Sequence, residues 1–583
     1  MVGTSAVGIQ RGKYANNITK EADMFKDAYD LTFYEFDDEK DPNAYGVLLC
    51  DVVHGRPPMK PTYMGIGWYW YYHGVRYGAE TLCLPTTHGW DSRFVNGYPY
   101  ITAIRTTPEE AKAREPIFRE RIKPFLENFD EVWDGYKNDL LRMYKTAKES
   151  RGLQEWEDIR KLDNNDLLSF FLDFAFVLNR KEGEVHFIML MASYYISGLF
   201  QEMWRTLFGV EATIDPAFHR VMAGFEAQDI RVVRDLWKLG REAVDMGLEK
   251  VFKKTPDDDV MEKLKSSDKG KQWVEAYRAF LRESGWRCDR MHGYDTPAWI
   301  EKPGVGIGRI KMLMSKEVFP FDAERERVNR ERQEAEKEVL AKVPDGQRDA
   351  FALLMRAAQK SGYWSEDHTF YCDFYIGSLG RWIITEFGRR FAEAGSIDQP
   401  EDVHYLHVNE IRKAAIPMGK VNLRPYVERR KKLYEQYLKI EPEPFLGDIS
   451  QAQEILRSDP TLVVSTQLPI VREELKADLY GASAAPGVIE GIARVIMSGD
   501  QLPELQPGEI LVAPGTSASW SVVFSIVAGL VTDGGGALSH PVIMAREFGL
   551  PCVSGCVEGT QKIKTGARIR VDGDQGVVYI LDK

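Results

Sequence analysis

The sequence predicts a multidomain chain. A mainly α-helical (α+β) N-terminal unit spans residues 1–440, a linker 441–478, and a C-terminal β/α unit 479–583. Three observations carry this expectation. Residues 107–205, 215–285 and 320–395 place apolar side chains at three and four spacing with charge between them, the period of amphipathic helices. IEPEPFLGD (440–448) is proline-rich and interrupts that pattern. From Leu479 short Val/Ile runs alternate with Gly and Pro, as in GASAAPGVIEGIARVI, GEILVAPGT and ARIRVDGDQGVVYIL, with room for one helix after Ser539.

Residues 1–105 are rich in aromatics and glycine, and the run Trp68–Tyr72 (WYWYY) reads as core rather than pocket. GVGIG (304–308) reads as a turn. ERERVNRERQEAEKEVLAK (324–342) interleaves acids and bases, which describes a solvated helix face and not a nucleic-acid stripe. Asp572 and Asp574, in VDGDQG, read as a hairpin turn.

The 583 residues are 44% hydrophobic and 28% charged, as in a soluble globular protein, with a net charge of -12. That balance disfavours DNA or RNA, whose phosphates are held by clustered Lys and Arg. No apolar run reaches the ~18 residues that suggest a membrane span. FIMLMASYYISGLF (187–200) is too short, and the first residues carry no apolar signal core. Six scattered cysteines read as reduced thiols of a cytoplasmic protein. Cys552 and Cys556 are close but lack a second pair, so no metal is expected there.

The chemistry concentrates in LVTDGGGALSHPVIMAREFGLPCVSG (530–555). An apolar strand runs into Gly534, Gly535 and Gly536, which permit positive φ and close approach of a ligand to the backbone. Ser539 is a good N-cap and Pro541 fits a first helical turn, so His540 is expected at a helix N-terminus, where free N–H groups favour an anion. Arg546 lies one to two turns further on, within reach of phosphate oxygens. Neutral imidazole is a competent nucleophile near neutral pH. The residues alone leave open a histidine that only caps a helix.

The segment resembles the swivelling phosphohistidine domain of phosphoenolpyruvate synthases, pyruvate phosphate dikinases and the first enzyme of the sugar phosphotransferase system. Thr532, Gly535, Ser539, His540, Ala545, Arg546, Glu547, Gly549 and Pro551 match that pattern, while Asp533 and Pro541 depart from it. Upstream, Ser483, Pro486, Gly487 and Gly491 match the entry strand. Thr516 and Trp520 match a second segment, in which Ala518 replaces the usual proline. The resemblance covers about 479–583. It implies that His540 carries a phosphoryl group and that Thr532, Gly535, Gly536, Ser539 and Arg546 bind phosphate.

The N-terminal unit resembles, more patchily, the acceptor-binding region of rifampicin phosphotransferases and the larger subunit of phenylphosphate synthase. The similar runs are DVVHGRPPMKP (51–61), RFVNGYPY (93–100), EVHF (184–187), ESGWRCDRMHGYDTPAWIEKP (283–303) and SIDQPEDVHYLHVNEI (396–411). Neither a nucleotide-binding ATP-grasp domain nor a barrel after the histidine domain is recognisable. The resemblance to phenol- and cresol-phosphorylating synthases therefore implies a hetero-oligomer. A separate ATP-grasp subunit would bind ATP and Mg²⁺ and charge His540, and this chain would pass the phosphoryl group to a small phenol, with AMP and phosphate as co-products. A phenol needs a base or a positive neighbour to attack phosphorus. His54, Trp90, Arg93, Asn96 and His186 are the expected acceptor contacts, with His368 a further candidate. Two other readings stand beside this one: a rifampicin-type phosphotransferase with a split ATP domain, and a phosphocarrier in which phospho-His540 is a signal.

Overall fold

A computed structural model describes residues 46–225, 228–290, 293–319, 322–448, 472–536 and 539–582. The N-terminal body combines a four-stranded antiparallel sheet with long helices. Its strands are β1 (Val47–Cys50), β2 (Thr87–Val95), β3 (Tyr98–Arg105) and β4 (Phe445–Gly447), in the order β2-β3-β1-β4. Asn96 and Gly97 join β2 to β3 with φ of 54° and 76°, the paired left-handed residues of a tight hairpin.

Helix α1 (Tyr69–Leu82) packs on that sheet, and α2 (Pro108–Glu149) follows it. Thr107 and Glu110 form a capping box and Pro108 occupies the first turn, so the start of α2 is written in TPEE. Helix α3 (Asn179–Phe208) is the most deeply buried, with a core face running from Val185 to Trp204. The aromatic run joins this core: Trp68 is fully buried and donates from its indole nitrogen to Ser92 Oγ. Among the described residues no helix is long and apolar enough to cross a membrane.

Helix α4 (Gln228–Asp245) opens a second helical cluster. It includes α5 (Gly304–Leu313), where a turn was expected at GVGIG. The glycines there serve close packing within a helix instead. A Cβ on Gly306 would lie 2.2 Å from the Tyr277 hydroxyl, and one on Gly304 would lie 1.9 Å from an Asp258 carboxylate oxygen. The charge-dense segment forms α6 (Asp322–Lys342), followed by α7 (Asp345–His368) and α8 (Tyr375–Glu393).

The C-terminal unit is an eight-stranded sheet in the order β5-β12-β11-β7-β8-β9-β10-β6. Its strands are β5 (Leu479–Tyr480), β6 (Ala482–Ala485), β7 (Val488–Val495), β8 (Ile510–Ala513), β9 (Gly529–Thr532), β10 (Cys552–Ser554), β11 (Arg568–Asp572) and β12 (Val577–Ile580). Strands β7 to β10 pair in parallel. The crossover from β9 to β10 carries helix α9 (His540–Glu547). Asp572 and Asp574 do sit in the β11–β12 hairpin, where Asp574 also accepts from the Gly487 N–H.

The expected linker of 441–478 is narrower than the sequence indicated. β4 pairs with β1, and Arg56 forms an ion pair with Glu441, so residues up to 447 belong to the N-terminal body. At the other end Asp478 accepts from the Ile580 N–H, which ties it to the C-terminal sheet. Residues 449–471 lie outside the described residues.

The two units share one apolar cluster. Ile230, Leu236, Trp299 and Ile310 of the helices are buried together with Trp520, Phe524, Met544 and Phe548 of the C-terminal unit. One polar contact inside this interface is pH-sensitive. Glu547 accepts from the Gly224 N–H at 3.0 Å, and burial raises its carboxyl from 4.5 to about 8. A carboxyl raised in the docked form favours docking at low pH and loses that contribution as pH climbs towards the raised value. Thermal stability should therefore fall between pH 4.5 and about 8, and Glu547→Gln should flatten that slope in scanning calorimetry. Gly306→Ala should cost about 1–3 kcal/mol through overpacking against Tyr277, read as a lower denaturant midpoint.

Candidate functional site

His540 is the first residue of α9, with Ser539 as its N-cap in extended conformation and Pro541 in the first turn. The serine hydroxyl bonds backward to the Gly536 carbonyl at 2.8 Å rather than capping the helix. Gly535 has φ of +126°, and a Cβ there would sit 2.6 Å from Ser539 Oγ and 2.7 Å from Ser554 Oγ. Only glycine allows the turn to lie this close to the serines. Thr532 is fully buried and donates to Ser554 Oγ at 3.0 Å, and Ser554 Oγ in turn donates to the Gly535 carbonyl at 3.2 Å. Thr532 thus braces the glycine turn from beneath.

The imidazole of His540 lies in the interface. Its Nδ1 is 2.6 Å from Thr516 Oγ1 of its own unit. Its Nε2 is 3.3 Å from Ser521 Oγ and faces two carboxyls of the helical body, Asp229 at 3.5 Å and Glu366 at 3.7 Å. Phe524 meets the ring edge to face. Behind Asp229 lies Arg287, itself fully buried, with Nη2 3.0 Å from Asp229 Oδ1. Ser521 donates to the other Asp229 oxygen.

These two carboxyls differ in state. Burial opposes the charge on Asp229, but His540 and Arg287 outweigh it and hold the carboxyl below its usual range. Glu366 has no such cation, and burial together with Asp229 and Asp367 pushes it well above its usual range. One carboxyl held down and one pushed up therefore flank the same imidazole nitrogen, a pairing suited to proton transfer at a reacting hydroxyl.

Arg546 differs from its expected place. Its guanidinium is buried, donates to the Ala484 carbonyl at 2.9 Å and meets His219 Nδ1 at 3.1 Å. Burial lowers it to about 10. Six residues beyond the helix start, its side chain runs towards β6 and joins the two units. The cation nearest this group is Arg287, which pairs with Asp229 and lies in the run 283–303 without a local signal of its own.

The expected acceptor contacts divide into two sets. Trp90, Arg93 and Asn96 lie on the β2–β3 hairpin: Trp90 is buried in the core, Arg93 pairs with Asp91, and Asn96 makes the left-handed turn. Local packing and turn geometry account for them there. His54 and His186 instead meet at Tyr71, with ring centroids 5.7 and 5.9 Å from it. His368 joins them, 4.8 Å from His186.

This second cluster is buried and rich in carboxyls. His54 Nδ1 is 2.7 Å from Asp51 Oδ2, and His186 Nδ1 is 3.0 Å from Glu182 Oε1. Burial opposes a charge on His54, but Asp51 outweighs it and raises the imidazole. Burial lowers His186 and drives His368 well below the usual histidine range. It raises Glu182 and brings Asp373 to about 6. The cluster and the His540 site meet along one helix end, since Glu366 and His368 are two residues apart at the close of α7.

Comparison with known proteins fits this division. Residues 505–576 match the mobile domain of PEP-utilising enzymes, and residues 186–365 match the fourth domain of rifampicin phosphotransferase. The second match contains Asp229 and Arg287 and stops one residue short of Glu366. The chain is 31% identical over 335 residues to rifampicin phosphotransferase of Streptomyces sviceus, covering 56% of this chain and 36% of that protein. It is 25% identical over 404 residues to an uncharacterized phosphotransferase of Bacillus subtilis, covering 69% and 47%. Chondramide synthase of Chondromyces crocatus aligns over 93% of this chain at 29% identity, across 14% of its own length. The chain thus spans less than half the length of each of these relatives. It joins a helical N-terminal region to a mobile domain of the PEP-utilising type, and its relatives include several phosphotransferases.

Thr516→Val should free His540 Nδ1 and slow phosphorylation of the chain while leaving its melting temperature within a few degrees. Mass spectrometry of the intact chain and differential scanning fluorimetry check the two halves of that outcome.

Proposed function

We propose that this chain is a phosphotransferase subunit that carries a phosphoryl group on Nε2 of His540 to the hydroxyl of a small phenol. The observation supporting this reading is the orientation of the imidazole. Thr516 engages Nδ1, and Nε2 is left facing Asp229 and Glu366 of the helical body. In this reading ionised Asp229 takes the proton of the acceptor hydroxyl as its oxygen attacks phosphorus. The P–N bond to His540 breaks as the O–P bond forms. Arg287 offsets negative charge behind Asp229, and protonated Glu366 supplies a hydrogen bond.

ATP and Mg²⁺ bind to a separate ATP-grasp subunit, which phosphorylates His540 with release of AMP and phosphate. Charging at one site and transfer at another require the C-terminal unit to move between them, through residues within 441–478. A rifampicin-type acceptor is the second reading, and the match of residues 186–365 to a rifampicin phosphotransferase domain favours it. The cytoplasm is the expected compartment.

Mixing the chain with an ATP-grasp partner, ATP, and either phenols or rifampicin decides the acceptor by mass spectrometry of the product. His540→Ala should abolish both chain phosphorylation and product, and residual product would sink the mechanism. Asp229→Asn should separate the two steps. Charging of His540 persists, while transfer slows by about 10²–10⁴-fold, the usual contribution of a positioned base. ATP labelled at the β-phosphate should deliver its label to the acceptor, whereas label arriving from the γ-phosphate would contradict the charging step.

A further inference from the structure

The buried histidine cluster lies apart from His540, and the transfer reaction makes no use of it. His186, His368 and Asp373 each offer a ligand atom within 4.8 Å of the other two. His368 Nε2 is 3.8 Å from Asp373 Oδ2, and His186 Nδ1 is 3.9 Å from Asp373 Oδ1. His186 is only 2% exposed, and its Nε2 has no hydrogen-bond partner. An unsatisfied imidazole nitrogen at that depth carries a full desolvation cost.

The backbone is shaped to assemble the group. Thr369–Phe374 is a π-helical turn between α7 and α8. Its widened winding brings residues five apart towards one face, which an α-helix would separate by about 140°. His368 and Asp373 are such a pair. On α3, Glu182 and His186 are four apart and share a face, as residues at that spacing do. Two further π turns, Met64–Trp68 and Phe174–Leu178, lead into the segments carrying Tyr71 and Glu182. Single π turns inside helices often mark functional sites.

We propose that His186, His368 and Asp373 bind one divalent transition-metal ion of the zinc and iron class, with Glu182, 3.0 Å from the same His186 Nδ1 that faces Asp373, as a further carboxylate donor. Two imidazoles and one carboxylate suit those borderline ions and leave coordination positions open. The assignment concerns this cluster alone and holds whatever acceptor the protein uses.

The test uses the full chain, without partner or nucleotide, titrated with Co²⁺ and followed by its visible ligand-field bands. One Co²⁺ per chain is expected, with Zn²⁺ displacing it. Asp373→Asn and His368→Gln should each abolish the bands while circular dichroism shows the fold retained. If one variant fails to fold, the other decides. Glu182→Gln should weaken binding. The separate group of Asp229, Glu366 and His540 could also gather a cation, so His540→Ala is the control, and it should bind Co²⁺ like the parent. Absence of stoichiometric Co²⁺ binding by the parent chain would overturn the proposal. So would bands that survive Asp373→Asn or vanish in His540→Ala.

Discussion

The contact between His540 Nε2 and the carboxyls of Asp229 and Glu366 is the constraint around which the rest is arranged. A carboxylate buried this deeply is costly unless paired. The pairing comes from both sides of the interface: Arg287 from the helical body, and Ser521 and His540 from the C-terminal unit. The apolar cluster shared by the two units removes water from around that contact, so its electrostatic terms act at short range in a poorly screened setting. Mutual burial and the polar pairing therefore depend on each other.

The same contact defines two faces of one helix end. At the close of α7, Glu366 reaches the C-terminal unit, Asp367 accepts from the Gln228 N–H at the start of α4, and His368 turns into the histidine cluster. Three successive polar residues thus join the C-terminal unit, the second helical cluster and the core at one point. A phosphoryl group on His540 would add about 1.5–2 negative charges beside ionised Asp229.

Much of this was legible in the sequence. The strand, the glycine turn and the helix beginning at His540 could be read because glycine spacing, an N-cap serine and an early proline are local signals. The long helices were legible from apolar period and from the TPEE start of α2. The failures have physical reasons. GVGIG read as a turn because helical glycines that make room for Tyr277 and Asp258 leave no trace in local pattern. Arg546 was assigned to phosphate by helix spacing and by resemblance, yet its side chain joins the units through Ala484 and His219. Asp229, Arg287 and Glu366 were not singled out. They are separated by 58 and 79 residues and meet only in the tertiary fold, and a lone acid on an amphipathic helix looks like any solvated face. The acceptor residues divided in the same way: His54 and His186 converge, while Asn96 and Gly97 carried a hairpin signal that deserved precedence.

The central claim is that His540 carries phosphorus on Nε2 and surrenders it at the helical body. Phosphorus NMR of the chain after phosphorylation by an ATP-grasp partner, before and after addition of acceptor, tests it most directly. The account predicts an Nε2-phosphohistidine resonance that disappears as an aryl phosphate ester grows in. A resonance from Nδ1-phosphohistidine or an acyl phosphate would contradict it, as would an Nε2 signal that persists while product forms.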